Sequence, residues 1–190
     1  MHTLNFKMEK SYSEVIGKCF EELEEIIKRG KLKIENNKIE LLYFNRKIKI
    51  DLTSKKFEGV EDYKEKIIIL HYLCKFKEGK NDELITYKNL PDGNFYFSSI
   101  YSRVYLPLIE KYKNESLKFI EKGLEIGGEK ISEFSIKFPV FPDIFFIFEL
   151  IPEDEEFPAD LKILFNKKGS EIFEIEDLAI IGEIIVSKMI

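Results

Sequence analysis

The chain has 190 residues, of which 44% are hydrophobic and 34% are charged, and its formal net charge is −5 at pH 7. This length and hydrophobic content fit one globular domain over residues 1–190 with an ample core. The charge argues against a nucleic-acid partner, because such proteins present a basic face in which arginine makes many of the specific contacts, and only Arg29, Arg46 and Arg103 are arginines here.

The sequence also argues against a membrane or secreted protein. No run reaches the roughly 18 apolar residues that a membrane span requires, and Met1–Lys10 lacks the apolar core of a signal peptide. Cys19 and Cys74 are therefore expected to be reduced, buried thiols of a cytoplasmic protein. The chain has no tryptophan or glutamine and is rich in lysine, glutamate and isoleucine, a composition typical of heat-adapted proteins and of AT-rich genomes.

Two helices with short strands between them are predicted in the first half of the chain. Apolar residues recur at helical spacing over Ser11–Arg29, where Ser11 and Glu14 form a capping box and Gly30 provides a stop. The second helix, Glu61–Lys77, is apolar nearly all round its centre, which is typical of a central, buried helix. The strands predicted between them are Leu32–Glu35, Ile39–Phe44 and Lys47–Asp51, with turns at Asn36-Asn37 and Asn45-Arg46.

The second half is predicted to contain helices followed by a sheet. The predicted elements are a turn at Pro91–Asn94, a helix over Phe95–Leu106, shorter helical pieces up to Leu124, a break at Gly127-Gly128, strands over Lys130–Phe138, Asp143–Leu150 and Asp160–Phe165, and a final helix over Glu176–Met189. Short connections favour antiparallel neighbours, so these three strands should form a meander. Because helices and strands are segregated, we predict an α+β fold in which helices pack on an antiparallel sheet.

The loop between the last two strands carries four consecutive carboxylates, Glu153–Glu156, followed by Phe157-Pro158-Ala159. Adjacent carboxylates repel one another, and one is held protonated near neutral pH if the site is also desolvated. Asp154, Glu155 and Glu156 are thus candidates for general acid–base chemistry or for binding Mg²⁺ or Ca²⁺. The alternative is a solvated hairpin tip that keeps the protein soluble, although a purely solubilising tip does not require anchoring by a Phe-Pro-Ala phrase.

His71 is the second candidate. It precedes Cys74 by three residues on the same helical face, a spacing at which both side chains could ligate one metal. Two ligands do not make a site, and a core histidine that donates to a carbonyl or an acid is the alternative. If His71 faces the acidic loop, a histidine–carboxylate pair results, in which Arg103 would clamp an anion and Tyr96 would complete a polar rim. No established catalytic motif accompanies these residues.

Several short phrases also occur together in a pattern that a known family shares. They are Ile69–Leu73, Asp92-Gly93 followed by Tyr96 and Arg103, Gly127-Gly128, Asp154–Ala159 with Leu164-Phe165, and Glu176–Ala179. In these phrases the chain resembles DUF3786, an uncharacterised prokaryotic family, from roughly residue 10 to the end. The acidic phrase with its Phe-Pro-Ala ending is the most specific part of the resemblance.

The resemblance implies a metabolic setting for the protein but no particular reaction. Members resemble proteins of anaerobic bacteria and archaea, and some carry an iron–sulfur-type cysteine motif before the domain, which implies work near corrinoid, one-carbon or redox metabolism. This chain lacks that cysteine motif, so cluster binding is not carried over. It also lacks the tryptophan that precedes the acidic phrase in the family pattern, a region that Glu149–Ile151 occupy here.

Three hypotheses follow for the function, and the cofactor stays open in all of them. The first is a cytoplasmic, non-catalytic accessory protein that binds a small molecule or a partner protein in anaerobic cofactor or one-carbon metabolism. The second is a small enzyme that uses His71 and the carboxylates, with or without a divalent cation. The third is a scaffold for protein–protein interactions. An enzyme requires His71, Arg103 and the acids to line one concave site.

Overall fold

The chain folds into two compact units of helices and antiparallel sheet, which confirms the predicted α+β class. The computed structural model describes residues 2–30, 34 and 36–190, and for residues 2–10 the backbone alone. The first unit comprises the described residues up to Leu41 together with Lys47–Glu78, and the second comprises Leu42–Arg46 and Gly79–Ile190. No helix within these described ranges is long and apolar enough to cross a membrane. The assignment of the whole chain to one domain stays a prediction.

The first unit contains two helices and a small sheet. Its elements are α1 (His2–Lys28), β1 (Lys38–Tyr43), β2 (Arg46–Asp51), β3 (Lys56–Glu58) and α2 (Tyr63–Lys75). The strands are antiparallel neighbours in the order β1-β2-β3. The last two residues of β1, the turn and the first residue of β2 are assigned to the second unit. The strands predicted over Ile39–Phe44 and Lys47–Asp51, with a turn between them, are confirmed. The hairpin predicted at Asn36-Asn37 is not tested, because its first strand, Leu32–Glu35, lies largely outside the described residues.

Both helices of the first unit end as their sequences predict, but α1 begins earlier. It is already helical from His2, so the capping box predicted at Ser11 is wrong, because amides inside a helix are satisfied by carbonyls of the preceding turn. Gly30 has a φ of +71° and ends the helix. In α2 the Asp62 side chain accepts a hydrogen bond from the Glu65 amide at 3.0 Å, and Ile67–Leu70 are buried as predicted.

The second unit holds the larger sheet. Its helices are α3 (Gly93–Ile100), α4 (Leu106–Tyr112), α5 (Ser116–Glu125), α6 (Lys167–Ile172) and α7 (Ile175–Met189), and its strands are β4 (Leu84–Ile85), β5 (Glu129–Lys130), β6 (Ser135–Phe141), β7 (Ile144–Ile151) and β8 (Asp160–Asn166). The strand order is β4-β8-β7-β6-β5, with every neighbour antiparallel. The predicted meander is therefore confirmed as β6–β8. The sheet has one further strand of two residues at each edge, β4 beside β8 and β5 beside β6.

Phenylalanine rings fill one face of this sheet. Phe146 and Phe165 are cross-strand partners whose ring centroids lie 5.0 Å apart, and the rings of Phe138 and Phe148 lie 5.3 Å apart. All four side chains are fully buried. Aromatic pairs at these distances stabilise a sheet beyond the burial of their area, so these rings make the sheet a rigid base for the neighbouring helices.

Tyr87 links the helices to the sheet. It lies in a 3-10 turn, Tyr87–Asn89, is fully buried, and donates its hydroxyl hydrogen to the carbonyl of Leu178 at 2.9 Å. Gly93 begins α3 directly against this turn, because a Cβ at Gly93 would lie 2.0 Å from the Tyr87 carbonyl oxygen. Asp92 has a φ of +57°, so the Asp92-Gly93 phrase is a tight turn, and the Tyr87 carbonyl leaves no room for a side chain at Gly93.

The first prediction tests this close approach. We expect Gly93→Ala to lower the free energy of unfolding by about 1–3 kcal/mol, since the new methyl group overlaps backbone that cannot rotate away. Urea unfolding followed by circular dichroism measures the loss. Gly169→Ala is the matched control in the same unit, because its Cβ would meet its nearest side chains at an ordinary 3.5 Å. Equal stability of the two variants would contradict the account of the Asp92-Gly93 turn.

Candidate functional site

The second unit contains an open cleft of about 760 Å³ beside strand β8. Three segments line it: the turn after β4, the helical stretch of α3 with the residues that follow it, and the acidic loop with the start of β8. The lining residues are Thr86, Lys88, Phe97, Tyr101, Tyr105, Ile151 and the run from Phe157 to Ile163. Ligand clefts in proteins commonly measure roughly 300–1,000 Å³, so this space is large enough for an organic ligand or a short stretch of chain.

One wall of the cleft is aromatic. Phe97, Tyr101 and Tyr105 follow one another at intervals of four residues, and the last two belong to a π-helical segment, Tyr101–Tyr105, between α3 and α4. The rings of Tyr101 and Tyr105 stack at 5.5 Å and 18°, and Phe97 lies 5.6 Å from Tyr105. π-helical turns are rare and are frequent at functional sites. Burial, and to a lesser degree the charge of Asp160, raises the pKa of Tyr105, so its hydroxyl stays protonated at neutral pH.

Two lysines add positive charge to this cleft. The Lys88 ammonium lies 4.1 Å from the centroid of the Phe97 ring, and among the described residues no carboxylate forms an ion pair with it. The Lys162 ammonium lies 3.8 Å from a carboxylate oxygen of Glu149, its cross-strand partner. A ligand with a negative group would therefore find one ammonium without an anion and a second that is weakly paired.

The acidic loop lies at one end of the cleft, and Asp154 folds it. The Oδ1 atom of Asp154 accepts hydrogen bonds from the amides of Glu156 at 2.9 Å and Phe157 at 2.8 Å. These two bonds lower the pKa of Asp154, so it is a carboxylate at neutral pH rather than the protonated acid that a desolvated cluster would contain. Glu155 and Glu156 are exposed. The bonds of Asp154 hold Phe157, which is 66% exposed, at the edge of the cleft.

Tyr96 and Arg103, the two predicted ligand-binding residues, lie near the cleft but do not line it. Tyr96 is half-buried, and its ring packs edge-on against Phe95 at 5.3 Å. Arg103 donates to a carboxylate oxygen of Glu183 at 2.5 Å and to the carbonyl of Ser99 at 3.3 Å. The guanidinium that we expected to clamp an anion thus already has a carboxylate partner within its own unit.

His71 and Cys74 lie on α2 in the first unit. Cys74 donates its thiol hydrogen to the carbonyl of Cys19 at 3.6 Å, and burial raises the pKa of this thiol to about 12, so it is not the thiolate that a metal binds. His71 is half-buried and already has an interaction partner. The described residues contain no cluster of three or more potential metal ligands. The acidic loop belongs to the second unit, and its contact with His71 stays a prediction.

Sequence reasoning missed the residues that form the cleft. The spacing of four residues between Phe97, Tyr101 and Tyr105 was a usable signal, but the same stretch also offered Tyr96 and Arg103 on a neighbouring face. No sequence signal separated Lys88 and Lys162 from the remaining basic residues. The acidic loop contributes only its last part to the cleft: Phe157-Pro158-Ala159 line it, whereas the acids Asp154–Glu156 do not.

A family model matches most of the chain. The family described as "Domain of unknown function (DUF3786)" matches the chain over residues 22–188, which includes α2, the whole large sheet and the cleft. No curated protein and no solved structure matches the chain.

The second prediction concerns the role of Asp154. Because its folded-state pKa is lowered, its bonds to the loop amides should persist at neutral pH and be lost only as the pH falls below the ordinary value of 3.8. The amide chemical shift of Phe157, followed by NMR during an acid titration, should therefore show a midpoint below 3.8.

Two variants separate the charge of Asp154 from its geometry. Asp154→Asn keeps an oxygen acceptor and should retain the loop while abolishing the titration, whereas Asp154→Ala should loosen the loop at every pH. A Phe157 midpoint that survives in Asp154→Asn would assign the titration to another group.

Proposed function

The chain belongs to the DUF3786 family, a domain of unknown function, and we propose that it is a non-catalytic accessory protein that binds a ligand in its aromatic cleft. One observation carries the proposal: the cleft combines a wall of three aromatic side chains with two ammonium groups. This combination suits a binding site, in which apolar surface supplies affinity and a few polar groups supply orientation.

The lining of the cleft indicates the chemistry of the ligand. An apolar or aromatic body would lie against Tyr101 and the exposed ring of Phe157, which are on different segments of the lining. A carboxylate, phosphate or sulfonate group would approach Lys88, whose ammonium lacks an anionic partner among the described residues. We therefore propose a ligand with an apolar body and at least one negative charge.

Binding is favoured over catalysis because the carboxylates and the arginine in and near the cleft already hold hydrogen bonds within the chain. Asp160 is the carboxylate that lines the cleft, and its Oδ1 atom already accepts a hydrogen bond from the Leu161 amide at 2.8 Å. Asp154 is ionised and bound to two amides, and Arg103 is paired with Glu183. These two carboxylates and Arg103 are thus engaged in holding the fold.

The proposed setting is cytoplasmic and lies within anaerobic cofactor, one-carbon or redox metabolism. Its support is the family resemblance described above, in which related domains follow cysteine motifs of the iron–sulfur type. An accessory protein in such a setting would hold a small molecule or a partner protein close to the enzymes that use it.

The third prediction tests the cleft with an anionic aromatic probe, 8-anilinonaphthalene-1-sulfonate. We expect saturable fluorescence enhancement with the unaltered protein and about tenfold weaker binding by Phe157→Ala, because loss of an aromatic contact and its buried area costs on the order of 1.4 kcal/mol. Phe95→Ala is the matched control: Phe95 is 82% exposed and lies outside the cleft. Equal weakening in both variants, or no saturable binding at all, would contradict the proposal.

A complementary experiment identifies the natural ligand. Protein purified without oxygen is analysed by native mass spectrometry and metal analysis, in the unaltered form and as the Phe157→Ala and Phe95→Ala variants. We expect any retained organic mass to be lost only from Phe157→Ala. A retained mass that persists in all three forms would lie at a different site.

A further inference from the structure

We infer that the first unit carries a binding site of its own, a recess lined by lysines that takes a small phosphorylated molecule. The recess measures about 320 Å³, and all of its lining residues belong to the first unit. It shares no lining residue with the aromatic cleft of the second unit. The inference therefore goes beyond the proposed function and does not depend on it.

Both helices and the third strand of the first unit form the recess. The lining residues are Ser13 and Ile16 of α1, Lys55, Lys56 and Phe57 around the start of β3, and Tyr63 and Lys66 of α2. The two helices also meet through their aromatic side chains, since the rings of Tyr12 and Tyr63 stack at 6.1 Å and 10°. Stacked rings stabilise the contact between the helices, so two walls of the recess are fixed relative to each other.

Aromatic rings position two of the three lysines. The ammonium group of Lys66 lies 5.2 Å from the ring centroid of Tyr63 and 5.9 Å from that of Phe57. The ammonium group of Lys55 lies 5.6 Å from the ring centroid of Phe20. Contacts of this kind hold a cation over a ring without neutralising its charge, so both groups keep their attraction for an anion.

The three ammonium groups have one carboxylate partner between them within the described chain. The Lys55 ammonium lies 3.2 Å from a carboxylate oxygen of Glu24. Neither Lys56 nor Lys66 forms an ion pair with a described residue. Asp51 is the register partner of Lys56, but its carboxylate accepts hydrogen bonds at 2.8 and 3.0 Å from its own turn. The recess therefore carries an excess of positive charge.

The neighbouring strands show how the same unit neutralises lysines elsewhere. The ammonium groups of Lys47 and Lys49 on β2 lie 2.8 and 3.0 Å from the two carboxylate oxygens of Glu40 on β1. Like charges that converge without such a partner repel one another. An anion bound in the recess would supply to Lys56 and Lys66 the partner that Glu40 supplies on β2.

A phosphate group matches the charge and the donors of the recess. It carries about −1.5 to −2 charges at pH 7 and three acceptor oxygens, and lysine binds phosphate as a point charge. The hydroxyl of Ser13 adds a donor, while Ile16 and the ring of Phe57 offer apolar surface to an organic body. The volume lies near the lower limit of roughly 300 Å³ for ligand sites. We therefore expect a small phosphate ester or a diphosphate.

The fourth prediction is tested by isothermal titration calorimetry with inorganic pyrophosphate and with phenyl phosphate. We expect saturable binding, which Lys56→Met and Lys66→Met should each weaken about tenfold, because each removes a hydrogen bond from a charged donor. Methionine keeps the length of the side chain, and circular dichroism checks that the variants fold. Lys18→Met is the matched control, since Lys18 is an exposed residue of α1 outside the recess.

The outcomes separate this recess from the aromatic cleft. Tighter binding of phenyl phosphate with the expected dependence on Lys56 and Lys66 supports an ester, and tighter binding of pyrophosphate with that dependence supports a diphosphate. Equal weakening by Lys18→Met, or no saturable binding of either probe, overturns the inference and leaves the proposed function standing. Binding that only Lys88→Met weakens would lie in the aromatic cleft, which also overturns the recess but supports the proposed function.

Discussion

The hydrogen bond from the buried hydroxyl of Tyr87 to the carbonyl of Leu178 is the interaction on which the second unit depends. It fixes the turn whose neighbouring residues, Thr86 and Lys88, line the cleft, and it ties that turn to α7. The ring packs against Phe165 of the sheet and Tyr105 of the aromatic wall. Burial raises the pKa of the Tyr87 hydroxyl, so the group remains a donor. A buried hydroxyl without its acceptor would cost about 1–3 kcal/mol, so the helices, the sheet and the cleft wall are fixed together.

This arrangement explains several phrases that the chain shares with its family. Gly93 is required because the Tyr87 carbonyl occupies the space of a side chain, and Leu178 contributes its carbonyl to the same tyrosine. Gly127 and Gly128 are likewise packing residues, since a Cβ at either would approach a backbone oxygen within 3 Å. The Phe157-Pro158-Ala159 phrase differs from these, because it lines the cleft and Phe157 is exposed. These phrases thus combine positions that hold the fold with one that lines the cleft.

Segments with a periodic pattern of buried apolar residues could be predicted from the sequence. Features indicated only by a short local motif could not. The strands β7 and β8 and the helices α2 and α7 were predicted within two residues, because each buries a continuous apolar pattern. The single strand predicted over Lys130–Phe138 is instead divided into β5 and β6. The prediction of a capping box at Ser11 is wrong, because the residue types of a capping box can also occur inside a helix, as they do in α1. The strand β4 is two residues long, and its pairing with Phe165 and Asn166 joins residues far apart in the chain, which no local pattern reports.

The candidate site was less predictable, because it depends on contacts between distant parts of the chain. The sequence singled out the acids of the loop, but it could not show that Asp154 would bind two amides of its own turn and so become a structural carboxylate. Tyr96 and Arg103 were selected because their polar groups suit a rim and an anion clamp, whereas Phe97, Tyr101 and Tyr105, spaced four residues apart, form the wall of the cleft.

The exposed ring of Phe157 also has a consequence for the behaviour of the chain on its own. An apolar side chain that is 66% exposed beside other aromatic residues is a surface that an identical molecule can cover, and such surfaces are starting points for self-association. The carboxylates of Glu153–Glu156 beside it oppose this contact, because they repel the same carboxylates of a second molecule. Concentrated protein should therefore become turbid faster in strong salt, which screens that repulsion, than in dilute buffer.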